Sequence, residues 1–413
     1  MDGTAKPKRQ NRKITRRRTT SMSPRILYVT CRWPHPFSHG GQLRAYHVAQ
    51  ALRTVGNVTV AAVGLEPGER RDGYAEQFSV LGEWEVKSNG TRGVRAFVKA
   101  FKEPDYVNIH GLTLEEGNEA ELVRIMHEDF DLVWFFQLRT ANYFRRACWA
   151  HSVVDIDDLP SAKIRSSGAM ASTLGKRFRA KAWYQVARIH ERRLVDRFTL
   201  RAVCSEEDRR ILGGDSSIQV IPNGFSRPLG EAHREPTDPP CIGFIGLMDY
   251  EPNRDAVLWF LEQCWSKLQT SVPGLRFRIV GKGAAEVVAN PPGGVEVLGW
   301  VDDAAAEIAT WSLMVIPIRS GAGTRIKIAD AFSRKCPAVS TSLGAYGYDV
   351  EDGCQLRLAD SAEAFANACL DLLCNPEEAA AMAERAFQEF LEKWTWDAIS
   401  PRVQDAAEAA LKE

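Results

Sequence analysis

The sequence predicts an α/β protein built as two doubly wound, Rossmann-like domains facing a central cleft. Short apolar runs of strand length alternate with helical patterns along the chain, as parallel strands joined by crossover helices require. That alternation stops once, at the proline- and charge-rich SRPLGEAHREPTDPP (226–240), and then restarts. At 413 residues the chain exceeds one ordinary core and suits two domains of moderate size.

The elements follow in order. PRILYVTCRWP reads as a buried strand running into a loop, and PFSHGG opens a helix over 42–54, QLRAYHVAQALRTVG, with apolar positions at helical spacing. VTVAAVG is the next strand, which completes one βαβ unit. Strands DLVWFFQL (131–138) and HSVVDID (151–157) precede a long helical segment, about 161–197, then strands TLRAVCS and IQVIP. After the break come CIGFIGLM, a helix over 254–268, RFRIVGKG, VEVLGW, a helix over 302–311, LMVIPI, a helix over 324–335 and PAVSTS. Helical segments 376–393 and 396–411 end the chain. The expected division is therefore a disordered basic tail (1–23), a first domain (24–225), a linker (226–240), a second domain (241–393) and a terminal helix (394–413) packing back on the first domain.

Composition narrows the function classes. Hydrophobic content of 45% and charged content of 26% belong to a globular protein, and no apolar run is long enough to span a bilayer. The amino terminus lacks the apolar core of a secretory leader. Nine scattered cysteines without a CxxC spacing predict reduced thiols in a cytoplasmic protein, with no metal site. Lys6, Lys8, Arg9, Arg12, Lys13, Arg16, Arg17 and Arg18 make the tail basic. The remaining chain carries 45 cations against 52 acids. The tail suits an anionic surface or a solvated leader, and Met22 is an alternative start. KRFRAKAWYQVARIHERR (176–193), with seven cations and one acid, suits a membrane surface or a solvated helix face.

Two glycine turns carry the chemistry. SGAGTRIKIADAF (320–332) follows the strand LMVIPI, with Gly323 in the turn and Thr324 as an N-cap. Free backbone N–H groups at such a helix start attract an anion, and Arg325 and Lys327 add charge beside it. Asp330, further along the helix, suits the paired hydroxyls of a ribose. HGGQLR (39–44), with Gly40 and Gly41, supplies a second such start in the first domain. Each turn alone also fits an ordinary helix entry. VVDIDDLP places Asp155, Asp157 and Asp158 at a strand end, where a carboxylate meets a sugar hydroxyl, acts as a base or caps a helix. No GxGxxG fingerprint and no GxxxxGK[ST] loop occurs, which argues against a nicotinamide dehydrogenase and a P-loop ATPase.

Taken in this order, FIGLMDYEPNRDAVLWF, RIVGKG, VEVLGWVDD and PIRSGAGTRIKIADAFSRKCPAVSTSLGAYG, with HGGQLR and VIPNGF, resemble retaining glycosyltransferase family 4 over about residues 24–400. The resemblance implies a GT-B fold and transfer of a sugar from a nucleotide diphosphate with retained configuration, with no metal required and no protein nucleophile. It implies that Gly41 lies against the diphosphate and acceptor. Arg325 and Lys327 then neutralise the leaving group, Asp330 binds the ribose, and the backbone at Trp300 and Val301 meets the base. Asp157 joins the cations as a catalytic candidate, and Asp155 and Arg44 are the acceptor candidates. This sequence departs from the family's Glu–seven residues–Glu pattern at Ala322 and Asp330, and the loop GLMDYEPN lacks the family's arginine and lysine.

The reading is a cytoplasmic transferase, peripheral on the inner face of the plasma membrane, acting on a glycan or lipid-linked acceptor and not on nucleic acid. Two alternatives are a GT-B sugar epimerase, which needs acids or bases such as Asp155 or Asp157, and a non-catalytic nucleotide-sugar-binding protein.

Overall fold

A computed structural model describes residues 23–35, 40–65, 77–88, 95, 97–98, 112–144, 148–169, 173–228, 233–321 and 326–413. In the first domain, Arg25–Thr30 (β1) leads to helix Gly40–Arg53 (α1) and strands Asn57–Val63 (β2) and Ser79–Trp84 (β3). Helix Glu116–Asp129 (α2), strand Leu132–Phe136 (β4) and strand Trp149–Asp155 (β5) follow. Next come helices Pro160–Ala169 (α3) and Leu174–Arg193 (α4), strand Phe198–Val203 (β6), helix Glu206–Leu212 (α5) and strand Ile218–Val220 (β7). The seven strands pair in parallel in the order β3-β2-β1-β4-β5-β6-β7. Alternate side chains of β1 enter opposite layers: Ile26 and Tyr28 pack under α1, and Leu27 and Val29 pack on the other face. Both faces are covered, which is why these strands read as continuous apolar runs.

The second domain begins with strand Cys241–Ile245 (β8) and helix Glu251–Phe260 (α6), which continues through a π turn at Leu261–Trp265 into Ser266–Ser271. Strands Arg276–Val280 (β9) and Val295–Gly299 (β10), helix Ala304–Ala309 (α7), strand Leu313–Ile316 (β11) and helix Ile326–Ser333 (α8) come next. Strands Ala338–Ser340 (β12) and Arg357–Leu358 (β13) and helices Ala362–Cys374 (α9) and Pro376–Lys393 (α10) complete it. The six parallel strands run β10-β9-β8-β11-β12-β13, the order of the first sheet less one strand. Both sheets therefore reverse their winding beside their first strand, the place where open α/β sheets leave a crevice beyond the strand ends.

The last helix, Trp396–Lys412 (α11), returns to the first domain. Thr395 caps it by accepting from the Ala398 amide at 3.3 Å. Trp396 stacks on His47 of α1 with ring centroids 4.5 Å apart, and Ile399, Val403, Ala406, Ala407 and Ala410 enter the first-domain core. The two crossings between domains are tied together: Phe225 N–H donates to Trp394 O at 2.9 Å, and Trp396 N–H donates to Phe225 O at 3.1 Å.

Several boundaries differ from the sequence reading. The segment 161–197 is two helices, α3 and α4. The helix expected over 254–268 spans three more residues at each end, because Pro252 sits in its first turn and the π turn absorbs one residue without ending it. Strand β3 and helices α2 and α9 were not anticipated. β3 (SVLGEW) has a mixed pattern because it lies at the sheet edge, and α9 is nearly all apolar because it lies against the second-domain core. Nearly all of the basic tail, residues 1–22, lies outside the described residues.

Candidate active site between the two sheets

A cavity of about 1160 Å³ lies between the domains. From the first domain it is lined by Gly41, Leu43, Asp157, Asp158 and the turn at Asn223–Phe225. From the second it is lined by α7 and by Ile326, Asp330, Ser333 and Arg334 of α8, with Trp396 at its floor. The two walls are built differently.

The first wall is a mesh of side chains at the carboxyl ends of five strands. Arg44, one turn into α1, is fully buried and grips Asp155 with two hydrogen bonds of 3.0 and 2.8 Å. Its remaining N–H groups reach Ile221 O at 3.0 Å, Pro222 O at 2.9 Å and Asn223 Oδ1 at 3.1 Å. Burial pushes the Asp155 carboxyl up and the adjacent guanidinium opposes that, while Arg44 stays charged. Beyond this pair, Gln137 donates to Asp157 Oδ2 at 3.2 Å. The Cys204 thiol, held protonated by burial, donates to Asp157 Oδ1 at 3.4 Å. Gln137 and Asp157 both have a φ of 64°, a left-handed backbone uncommon for residues other than glycine. Strain of this kind persists only where the surroundings enforce it, and here it turns a carboxylate into the cleft. A Cβ added to Gly41 would stand 3.3 Å from Arg32 Nε, so a cation lies beside the start of α1.

Behind the second wall, the carboxyl edge of the sheet is made of glycine. Gly246 follows β8, Gly281 follows β9, and Gly299 ends β10. Gly281 has a φ of 138°, and a Cβ there would fall 1.9 Å from Gly246 O. A Cβ on Gly246 would meet Asn253 Nδ2 at 2.7 Å and Lys327 Nζ at 3.0 Å. Lys327, on the first turn of α8, donates to Asn253 Oδ1 at 2.7 Å and lies 5.2 Å from the centre of the Phe244 ring. Asn253 is itself fixed by donating to Leu247 O at 2.8 Å. The result is an ammonium group held against backbone with no intervening side chains, a geometry open to the close approach of an anion. One turn along, Asp330 faces the cavity and pairs with Arg334 at 2.9 Å, and desolvation holds its carboxyl above the usual range.

Across the domains, Tyr346 donates to Asp208 Oδ1 at 2.9 Å, and Gly321 N–H donates to Ser166 Oγ. Among the described residues no group of three or more His, Cys, Asp or Glu could hold a metal ion.

Residues 239–375 match the family model described as glycosyl transferases group 1. Over these residues, about a third of the chain, the second domain is similar to group 1 glycosyl transferases. The chain as a whole has the fold of solved GT-B structures. It is similar to Anabaena HepE, solved with UDP and glucose, at 17% identity and a TM-score of 0.60 over 92% of this chain and 98% of that one. It is similar to sucrose-phosphate synthase from Thermosynechococcus elongatus at 13% identity and a TM-score of 0.60, covering 92% and 96%. WaaG, a glycosyltransferase involved in lipopolysaccharide biosynthesis, aligns at 13% identity and a TM-score of 0.56, covering 92% and 98%. No curated protein matches the sequence.

In the two domains, the residues singled out from sequence fall into four sets. Gly41, Asp157 and Asp330 line one cavity, with Lys327 a turn away from Asp330 on the same helix. Gly40 begins α1. Gly323, Thr324, Arg325 and Ala322 lie outside the described residues. Trp300 is 70% exposed at the outer end of β10, and Val301 packs on the second-domain core. Asp155 and Arg44, the acceptor candidates, are not in the cavity lining: both side chains are 0–1% exposed and bonded to each other, and Arg44 also to the Ile221–Asn223 turn. Their role is to brace α1, β5 and the Asn223 turn behind the wall. Sequence reading missed Arg32, Gln137, Asn253 and Arg334. Only Arg334 left a signal, four residues after Asp330 on one helix face.

Proposed function

We propose that the chain is a glycosyltransferase that moves a sugar from a nucleoside-diphosphate donor to a glycan or lipid-linked acceptor, with retention of configuration, in polysaccharide or glycolipid synthesis. The observation that carries this reading is Lys327, held by Asn253 at the glycine edge of the second sheet, inside the segment that matches the group 1 family. That edge receives the diphosphate, and Lys327 offsets the charge of the departing group; Gly323, Thr324 and Arg325, which lie outside the described residues, are expected to assist it. Asp330 meets the ribose hydroxyls and exchanges its bond to Arg334 for them. The base rests against the backbone at Trp300 and Val301. No cofactor or metal is needed, because fixed cations and backbone N–H groups act on the leaving diphosphate.

On the opposite wall, Gly40 and Gly41 leave room for the phosphates and sugar, and Asp157 accepts a hydrogen bond from a hydroxyl of the acceptor or of the transferred sugar. The domains close over the cleft and exclude water, which limits hydrolysis. The enzyme works on the cytoplasmic side of the plasma membrane. An epimerase would need more than one acid or base at the sugar carbon. Of the two acids expected to serve an epimerase, Asp155 is sealed against Arg44 and Asp157 alone lines the cavity, which favours transfer.

The test is mass spectrometry of products from a panel of nucleotide sugars, with and without extracted glycan and lipid acceptors. Acceptor-dependent loss of one donor and a new α- or β-linked product matching the donor's anomer is expected. Altered sugar without acceptor would replace the proposal with epimerisation. A donor that binds and never turns over would indicate a binding protein.

A further inference from the structure

We propose that the amino-terminal turns of α4 dock on an anionic lipid bilayer, with Leu174 and Phe178 entering the acyl boundary. Every residue from Thr173 to Arg179 is exposed, so the first two turns of α4 leave the body of the protein on all sides. Leu174 and Phe178 are 81% and 80% exposed, the highest values for large apolar side chains among the described residues. Four residues apart, they stand one above the other on a single helix face. Single apolar residues on a surface mean little, but two adjacent ones at a projecting end form a wedge.

The charge around the wedge names its partner. From Leu174 to His190 there is no acid, and Lys176, Arg177, Arg179 and Lys181 surround the two apolar side chains. Arg165, exposed on α3, extends the positive face. This contrasts with the rest of the chain after the tail, in which acids outnumber cations. Nucleic acid would take the cations and leave Leu174 without a use. An anionic bilayer takes both, with headgroups at the cations and acyl chains at the wedge. The placement also suits the site: α3 starts two residues after Asp158 in the cavity wall, and its Ser166 meets Gly321 of the second domain. A bilayer at the start of α4 would lie beside the cleft. The docking itself does not depend on the transferase reading.

The test is sedimentation of the full chain with vesicles of phosphatidylcholine alone and of phosphatidylcholine with phosphatidylglycerol. Binding to the anionic vesicles only, weakened by high salt, is expected. The Leu174→Ser/Phe178→Ser chain should lose about tenfold or more in partitioning, since both apolar anchors are removed. The Arg179→Glu/Lys181→Glu chain should lose a similar factor on anionic vesicles. Both variants alter solvent-exposed residues, and an unchanged circular dichroism spectrum and nucleotide affinity would show that fold and donor site are intact. No sedimentation of the unaltered chain overturns the proposal. So does undiminished binding by the Ser pair, which would assign any membrane affinity to the basic tail.

Discussion

The two sheets have the same strand order and opposite finishes. At the carboxyl edge of the first, Cys31, Gln137, Asp157, Cys204 and Asn223 interlock through side chains, backed by the Arg44–Asp155 pair. At the edge of the second, Gly246, Gly281 and Gly299 leave bare backbone with Lys327 beside it. One winding rule supplies a crevice twice. The first crevice is filled with groups that present a carboxylate, and the second is left open for a ligand to touch backbone. Topology thus supplies the crevices, and the residues at the strand ends set the two apart.

Breaking the brace of the first wall should have the largest effect. Arg44→Ala leaves Asp155 buried without its partner, and a loss of about 3–5 kcal/mol is expected in denaturant unfolding. A cost below about 1 kcal/mol would mean that the wall does not rely on this pair.

The contact between the walls should show in pH dependence. Burial pushes the Asp208 carboxyl up to about 6. The folded chain then binds this proton more tightly than the unfolded chain does. The stability it contributes is fully present below the ordinary carboxylate range and is lost as pH rises through about 6. Relative to Asp208→Asn, the unaltered chain should lose on the order of 2–3 kcal/mol between about pH 4 and pH 7. Parallel stability curves for the two chains would contradict this.

The glycine edge comes next. Gly246→Ala should displace Asn253 and Lys327, cost about 1–2 kcal/mol in stability and weaken nucleotide binding further, as thermal shift with and without nucleotide would reveal. The smallest effect is expected away from both walls. Arg124→Ala removes an exposed pair with Glu128 on α2 and should change stability by less than about 0.5 kcal/mol.

The contrast explains what the sequence made legible. Buried parallel strands such as LYVT and LVWFF announce themselves as apolar runs, and SRPLGEAHREPTDPP marks the break between domains. The helix beginning at Gly40 was visible in its spacing. The edge strand β3 was not, because one side of it has no neighbouring strand to demand an apolar pattern. Asp157 and Asp155 look equivalent in VVDIDD, yet one faces the cavity and the other is sealed. Their difference depends on Arg44, 111 residues earlier in the chain. Asn253 and Gln137 gave no signal for the same reason: their partners, Lys327 and Asp157, are distant in sequence and meet only at the strand ends.

The most direct test is calorimetric titration of UDP and other nucleoside diphosphates into the unaltered chain, Lys327→Ala and Asp157→Asn. If the glycine edge is the donor site, one nucleotide binds, Lys327→Ala weakens it at least about tenfold, and Asp157→Asn leaves its Kd within about a factor of two. Equal affinity in Lys327→Ala, or loss of nucleotide binding in Asp157→Asn alone, would place the diphosphate on the other wall and contradict the division of labour between the two sheets.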